Sequence, residues 1–150
     1  LNKDSLKTLV DEVSNQSNKL LESTGRLDIA ILILSGSVVE GLYISTQLIK
    51  NYPEDTPSEI RDLILEPLIK VVIDQKEGLD NLIQIVKKFD DNQTLSSLLK
   101  DLNKIKTIYD NELVEISAQI ASNKGDMMLQ SKVLDHLTVE ISRIRNSFVQ

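Results

Sequence analysis

The sequence contains no cysteine, and this absence removes whole classes of chemistry. Without a thiol there is no disulfide, no thiolate metal site and no cysteine nucleophile. The single histidine, His136, cannot make a two-histidine metal site within one chain. No P-loop or Gly-x-Gly-x-x-Gly motif occurs, and the five glycines are scattered. We therefore expect a protein that is not an enzyme and that carries no cofactor and no metal.

Positive charge is also scarce. Lys and Arg number 17 against 23 Asp and Glu, which gives a net charge of −6. An acidic domain repels a phosphate backbone unless it carries a local basic patch. We interpret the nearest basic groups as solvated helix faces, because each is short and flanked by acidic or apolar residues: Lys87 with Lys88, Lys104 with Lys106, and Arg143 with Arg145. Composition therefore argues against nucleic acid and anionic membrane surfaces as partners, and we predict neither.

Hydrophobic residues, in contrast, make up 41% of the 150 residues, which excludes disorder for most of the chain. We predict one domain over residues 1–150. The chain begins at Leu1 rather than at Met, and we expect it to be the C-terminal part of a longer precursor.

The spacing of apolar residues predicts helices and no strand. Apolar residues recur at intervals of three and four in five segments, with breaks near Gly25 and at residues 51–56, 90–93 and 123–126. Because the loops are short, the predicted fold is all-α, an up-and-down antiparallel bundle of about five helices. At the first break, Thr24-Gly25-Arg26 is either a tight reversal or a kink in one long helix, and we favour the reversal.

The third predicted helix has the clearest start signal. Thr56 as N-cap, Pro57 at the first helical position and Glu59 three residues after the cap form a capping box. The helix then runs to about Phe89, with a kink near Pro67. The fourth helix keeps its apolar spacing as far as Ile120.

The second predicted helix, Leu27 to Lys50, is apolar almost all round, so we expect it to be the central, most buried helix. Gly36 and Gly41 lie inside it, and each costs about 1 kcal/mol relative to Ala. We expect the close approach of another helix to compensate. Its most apolar stretch ends before Glu40, far short of the roughly 20 residues of a spanning helix. We predict no transmembrane segment here.

Glu40 is the only charge between Asp28 and Lys50. Such a charge must be paired or must reach solvent. The antiparallel arrangement places Glu40 at a height comparable to that of Gln75 and Lys76 on the next helix. We therefore predict a largely buried Glu40 that is hydrogen-bonded to Lys76, to Gln75 or to a nearby hydroxyl.

The segment Gly36-Ser37-Val38-Val39-Glu40-Gly41-Leu42-Tyr43-Ile44-Ser45-Thr46-Gln47 resembles a helix motif in a group of exported, lipid-anchored proteins of Bacteroidetes type. Asp74-Gln75-Lys76 and Leu79-Asp80-Asn81-Leu82-Ile83 resemble the next helix of that group. The match covers the second and third helices, and the group has no assigned activity. The resemblance implies an all-α domain that is exported to the cell envelope or periplasm and that touches the membrane only through an anchor upstream of this chain.

These observations predict a non-catalytic interaction or scaffold domain of an exported, membrane-tethered protein, with a protein as its partner. Two alternatives stay open, a ligand-sensing helical bundle with a site near Glu40 and Tyr43, and a cytosolic interaction bundle. The candidate binding residues are Glu40, Tyr43, Gln75 and Lys76.

Overall fold

The computed structural model describes residues 12, 15–16, 19–21, 23–53, 55–89, 92–114 and 132–148, with the backbone alone at positions 58, 62 and 132. Its elements are helices: α1 (Leu27–Lys50), α2 (Ser58–Val86), a 3₁₀ turn (Lys87–Phe89), α3 (Gln93–Asn111) and α4 (Lys132–Phe148). Helical residues also occur between positions 12 and 23. No strand is present in the ranges given above, and the predicted all-α helical bundle is confirmed.

The chain divides into two compact units, residues 1–34 and residues 35–150. In the first unit the helical segment before α1 closes at Gly25, whose φ of 68° lies in the left-handed region that favours glycine. The Arg26 N–H donates to the Leu21 carbonyl at 2.8 Å, the long bond of a Schellman motif. The predicted break at Gly25 is confirmed as a helix end.

In the second unit, α2 and α3 run antiparallel. The Tyr109 hydroxyl donates to the Val72 carbonyl at 2.6 Å, and one turn further along α2 the Lys76 ammonium lies 2.7 Å from Asp110. Later in α2, Asp80 pairs with Lys106, which precedes Tyr109 in α3. From Lys76 to Asp80 the position rises along α2 while the partner's position falls from Asp110 to Lys106 along α3, so the two helices point in opposite directions.

The contacts of α4 show the same arrangement with two other helices. Against α3, Asp101 pairs with Arg143 and Glu112 with His136. Against residues 35–50 of α1, Glu40 pairs with Arg145 and Lys50 with Asp135. In each case the positions of the paired residues rise along one helix and fall along the other. This is the pattern of an up-and-down bundle.

The basic residues that we interpreted as solvated helix faces are in part cross-helix links. Lys106 joins α3 to Asp80 of α2, Arg143 joins α4 to Asp101 of α3, and Arg145 joins α4 to α1. Each of these three cations is matched by a carboxylate, so together they do not form an open cationic patch. These side chains are partly exposed, as the interpretation expects, but it missed their pairing because sequence neighbours alone do not show what the opposite helix presents.

A network of four charges connects the middle of α2 to the end of α3. Lys76 and Lys106 each lie within ion-pair distance of both Asp80 and Asp110. The hydrogen bond from Lys106 lowers the pKa of Asp80 below its ordinary value, and the bond from Lys76 lowers the pKa of Asp110. Because the network is neutral and its members are mutually satisfied, it links two helices and presents no net charge to a ligand.

Two predicted helices differ in detail from the structure. The N-cap of α2 is Pro57 itself, without a side-chain capping bond, and the helix begins at Ser58. The Thr56 N–H instead donates to the Pro53 carbonyl at 3.3 Å in the preceding turn, so the predicted capping box does not form. In α3, Glu112 with φ −114° is the C-cap and interrupts the predicted helix, and Leu113 and Val114 are helical again; positions after 114, including the predicted end near Ile120 and the predicted 123–126 break, lie outside the described residues.

Pro67 lies inside α2 without ending it, since the helix is continuous from Ser58 to Val86. The predicted kink remains a prediction. At the start of α3, Asn92 is the N-cap, and its side-chain oxygen accepts from the N–H groups of Thr94 and Leu95 at 3.0 and 3.2 Å. This is the arrangement that satisfies otherwise unpaired donors in a first helical turn.

Candidate functional site

Helix α1 has two apolar faces in the second unit, and the bundle covers only one of them. Val39, Leu42 and Ile49 are fully buried. On the other face, Ile44 is 51% exposed and Leu48 is 53% exposed. The prediction that α1 is the central, most buried helix was therefore wrong. An all-round apolar helix need not be central, because the remaining helices can be too few to surround it.

By length and composition, α1 is also long and apolar enough to cross a membrane. Core helices of water-soluble bundles meet the same criterion, so this property alone does not assign α1 to a membrane. Within α1, Glu40 is ion-paired to α4, and the buried Thr46 hydroxyl donates to the Leu42 carbonyl at 2.9 Å. Both polar groups are satisfied within the bundle.

Arg145 of α4 brings Glu40 and Tyr43 together. Its Nε donates to the Glu40 carboxylate at 2.6 Å, and its guanidinium carbon lies 4.4 Å from the centroid of the Tyr43 ring. This distance is within the range of a cation–π contact. The hydrogen bond from Arg145 to Glu40 raises the pKa of the guanidinium above its ordinary value. The Arg145 guanidinium therefore stays charged and covers one face of the Tyr43 ring.

The predicted pairing of Glu40 with Lys76 or Gln75 was wrong. Lys76 pairs with Asp80 and Asp110, and among the described residues Gln75 makes no hydrogen bond to Glu40. The Glu40 side chain is 43% exposed rather than largely buried. Loop length sets the heights of residues along neighbouring helices but not the directions in which their side chains point. Lys76 faces α3, whereas Glu40 faces α4.

This correction changes the expected cost of removing Glu40. In urea unfolding, Arg145→Ala should lower the midpoint more than Glu40→Ala, because Arg145→Ala also removes the contact with the Tyr43 ring. The losses for Glu40 and Arg145 should be less than additive in the double variant, since the two share one interaction. Glu40→Ala combined with Lys76→Ala is the control and should be additive. Additive losses for Glu40 and Arg145 would contradict the observed pairing.

A groove lies beside the exposed face of α1. Tyr43, Ile44, Gln47 and Leu48 line it from the last two turns of the helix, and the turn that follows contributes Asn51, Tyr52 and Pro53. Its volume is about 540 Å³, and it is open to solvent along its length. We call these seven residues the α1 groove. These seven residues are uncharged, and apolar side chains and rings predominate among them.

Besides the hydroxyls of Tyr43 and Tyr52, the described lining of the α1 groove carries two side-chain amides. The Asn51 side-chain nitrogen donates to the Gln47 carbonyl at 3.0 Å and to the Gln47 side-chain oxygen at 3.1 Å. The Asn51 oxygen and the Gln47 nitrogen make no further bond within the described ranges. The two side chains therefore hold each other in place and leave one acceptor and one donor for a ligand.

The close helix approach predicted at the two interior glycines occurs only weakly. A Cβ added to Gly36 would lie 3.9 Å from the ring of Phe148, an ordinary contact, and one added to Gly41 would meet nothing within 4 Å. Within the described part of the chain, then, no helix backbone approaches Gly41 so closely that a side chain would be excluded there. The prediction was wrong there because Gly41 lies on the uncovered face of α1.

Gly41→Ala should raise the free energy of unfolding by about 1 kcal/mol, because Ala has the higher helix propensity and the added methyl group meets open space. Gly78→Ala, at another exposed helical glycine, is the matched control and should act in the same direction. Urea unfolding of both variants measures this. If Gly41→Ala alone destabilised the protein, another molecule would have to approach Gly41 in solution.

Sequence reasoning found Glu40 and Tyr43 but missed Arg145, which joins them. A signal was present in the sequence. Arg145 lies four residues after Ile141 and three before Phe148, at the edge of the apolar stripe of α4. An arginine at that position can reach across to a neighbouring helix while its stem packs on apolar surface.

The described residues contain no group of three or more His, Asp and Glu side chains placed to hold a metal ion. Comparisons with known proteins add no assignment: no family model matches the chain, and no significant similarity to a curated protein or to a solved structure is found.

Proposed function

We propose that this chain is a non-catalytic helical domain that binds another protein through the α1 groove. The observation that carries the proposal is the pair Ile44 and Leu48, one turn apart and each more than half exposed, at the edge of a preformed groove. Single exposed apolar residues are ordinary on protein surfaces, but contiguous ones beside a groove are typical of binding sites. The helix behind them is fixed by the buried Val39, Leu42 and Ile49.

The ion pair of Glu40 favours a protein partner over a small polar metabolite. A sensor of such metabolites needs charged or polar groups that are free to bind the ligand. The Glu40 carboxylate is already bound by Arg145, and Lys76 is bound by two carboxylates elsewhere. Of the four residues expected to bind, Tyr43 is the one that lines the groove.

Peptide selection tests this proposal. A random peptide library displayed on phage should yield peptides that bind the wild-type chain and lose binding to Leu48→Asp. Val139→Asp is the matched control, because Val139 is 61% exposed on α4, and this variant should bind the peptides like wild type. Circular dichroism checks that both variants are folded. Peptides that bind Leu48→Asp equally well, or metabolites that raise the melting temperature when no peptide is enriched, would overturn the proposal.

Export and membrane tethering are part of the proposal and are supported by the resemblance of Gly36–Gln47 to the exported proteins. Because the chain has no cysteine, a lipidated cysteine would have to lie outside these residues. Cell fractionation with metabolic fatty-acid labelling of the native protein should find it lipidated and in the envelope. Recovery of unlabelled protein in the cytoplasm would favour a cytosolic interaction bundle instead.

A further inference from the structure

The size of the α1 groove limits what can occupy it. Among the described residues its lining comes from residues 43–53, and its volume is about 540 Å³. A stable protein–protein interface uses roughly 20–30 residues on each side. A second copy of this chain seated only on the groove would therefore bury far too little surface for a stable dimer. A few residues of a single peptide segment match the groove better.

Charge further restricts the occupant. The part of the groove lining that the structure describes has no carboxylate, ammonium or guanidinium group. The two nearest charges along α1 are both paired, Glu40 with Arg145 at 2.6 Å and Lys50 with Asp135 at 4.0 Å. A charged segment would lose hydration in the groove without gaining a counter-charge from the described lining. An uncharged segment is the electrostatic match.

The remaining chemistry of the groove points to an extended backbone. Tyr43 and Tyr52 supply aromatic rings, and grooves lined by aromatic rings are the usual docking sites of polyproline-type segments. The unbonded Gln47 nitrogen can donate to a peptide carbonyl, and the unbonded Asn51 oxygen can accept from a peptide N–H. A helical segment satisfies these backbone groups internally, whereas an extended one leaves them free to bind.

We propose that the α1 groove binds a short, uncharged, extended peptide segment of the polyproline type. An apolar side chain sits against Ile44 and Leu48, the rings of Tyr43 and Tyr52 flank it, and Gln47 donates to the peptide backbone. This inference rests on the proposed function, because it specifies the partner segment for the same groove.

The experiment is an NMR titration of the ¹⁵N-labelled chain with the capped peptide acetyl-Pro-Pro-Leu-Pro-Pro-amide. We expect saturable shifts at residues 43–53, including the side-chain amides of Gln47 and Asn51, with a dissociation constant on the order of 1 mM or tighter. Gln47→Met keeps the side-chain length but removes the donor, and it should weaken binding about fivefold. Acetyl-Gly-Gly-Leu-Gly-Gly-amide is the matched control peptide and should bind more weakly, because it is not preorganised.

The outcomes separate this inference from the proposed function. If a capped, uncharged amphipathic helical peptide shifts residues 43–53 and the proline peptide does not, the inference is overturned and the proposed function stands. The same holds if the glycine peptide binds as tightly as the proline peptide. If neither peptide shifts residues 43–53 and the selected phage peptides do not depend on Leu48, both are overturned.

Discussion

Leu42→Ala is expected to lower the free energy of unfolding by about 2–5 kcal/mol, the range for a fully buried leucine truncated to alanine. Leu42 has no exposed surface, so its truncation removes transfer free energy and leaves a cavity. Leu48→Ala, on the same helix but 53% exposed, should change stability by no more than about 0.5 kcal/mol. Both are read from urea unfolding followed by circular dichroism.

The pair is informative because the two variants make the same chemical change on one helix. Any effect of helix propensity is shared, so the difference between them reports burial alone. Similar losses for the two would mean that the face of α1 carrying Leu48 is covered in solution, and the groove would then not be open.

Tyr109→Phe is expected to cost about 1 kcal/mol at neutral pH, the usual net value of one hydrogen bond. The Tyr109 hydroxyl is buried and donates to the Val72 carbonyl at 2.6 Å, which links α3 to α2. Phe keeps the ring packing and removes only this bond. Tyr43 offers a direct control, because Tyr43→Phe removes a hydroxyl from a partly exposed ring and should cost less.

At high pH the stability advantage of Tyr109 over Phe shrinks. Burial raises the pKa of the Tyr109 hydroxyl above its ordinary value of 10.0. The unfolded chain then ionises this group at a lower pH than the folded protein does, so stability is complete below about pH 10 and falls as pH rises further. One such group contributes a slope of up to about 1.4 kcal/mol per pH unit.

The raised pKa values of Lys76 and Lys106 act in the same direction, so the Tyr109 contribution is read as a difference between proteins. Between about pH 10 and 11, unfolding free energies of wild type should fall more steeply than those of Tyr109→Phe. Parallel pH profiles for the two would contradict the burial of the Tyr109 hydroxyl.

The fold class and most helix bounds could be predicted from the sequence because they depend on local periodicity. The bounds predicted for the second helix, Leu27–Lys50, are those of α1, and the apolar stripe from Val133 to Phe148 lies within α4. The Thr56 capping box failed because a cap competes with turn bonds that the sequence does not display. In the structure, the Thr56 N–H bonds back to Pro53.

The candidate site could be predicted only in part, for a geometric reason. The sequence marked Glu40 as the single charge on an apolar stretch and Tyr43 as a candidate binding residue near it, and the structure joins them through Arg145. Which helix each face of α1 contacts depends on rotation about the helix axes, and apolar spacing does not determine that rotation when a helix is apolar all round. The same ambiguity explains why the sequence predicts α1 at the centre of the bundle and predicts that Glu40 pairs with Lys76.

Thiol labelling shows whether the face of α1 that carries Leu48 is open to a partner in solution. The chain has no cysteine, so Leu48→Cys and Leu42→Cys each introduce a single reporter thiol. Under native conditions the Leu48→Cys thiol should react with a maleimide at nearly the rate measured in urea, and a bound groove peptide should slow it. The Leu42→Cys thiol should be strongly protected until the protein unfolds. Strong protection of the Leu48→Cys thiol in the free, dilute protein would mean that this face is closed to a partner.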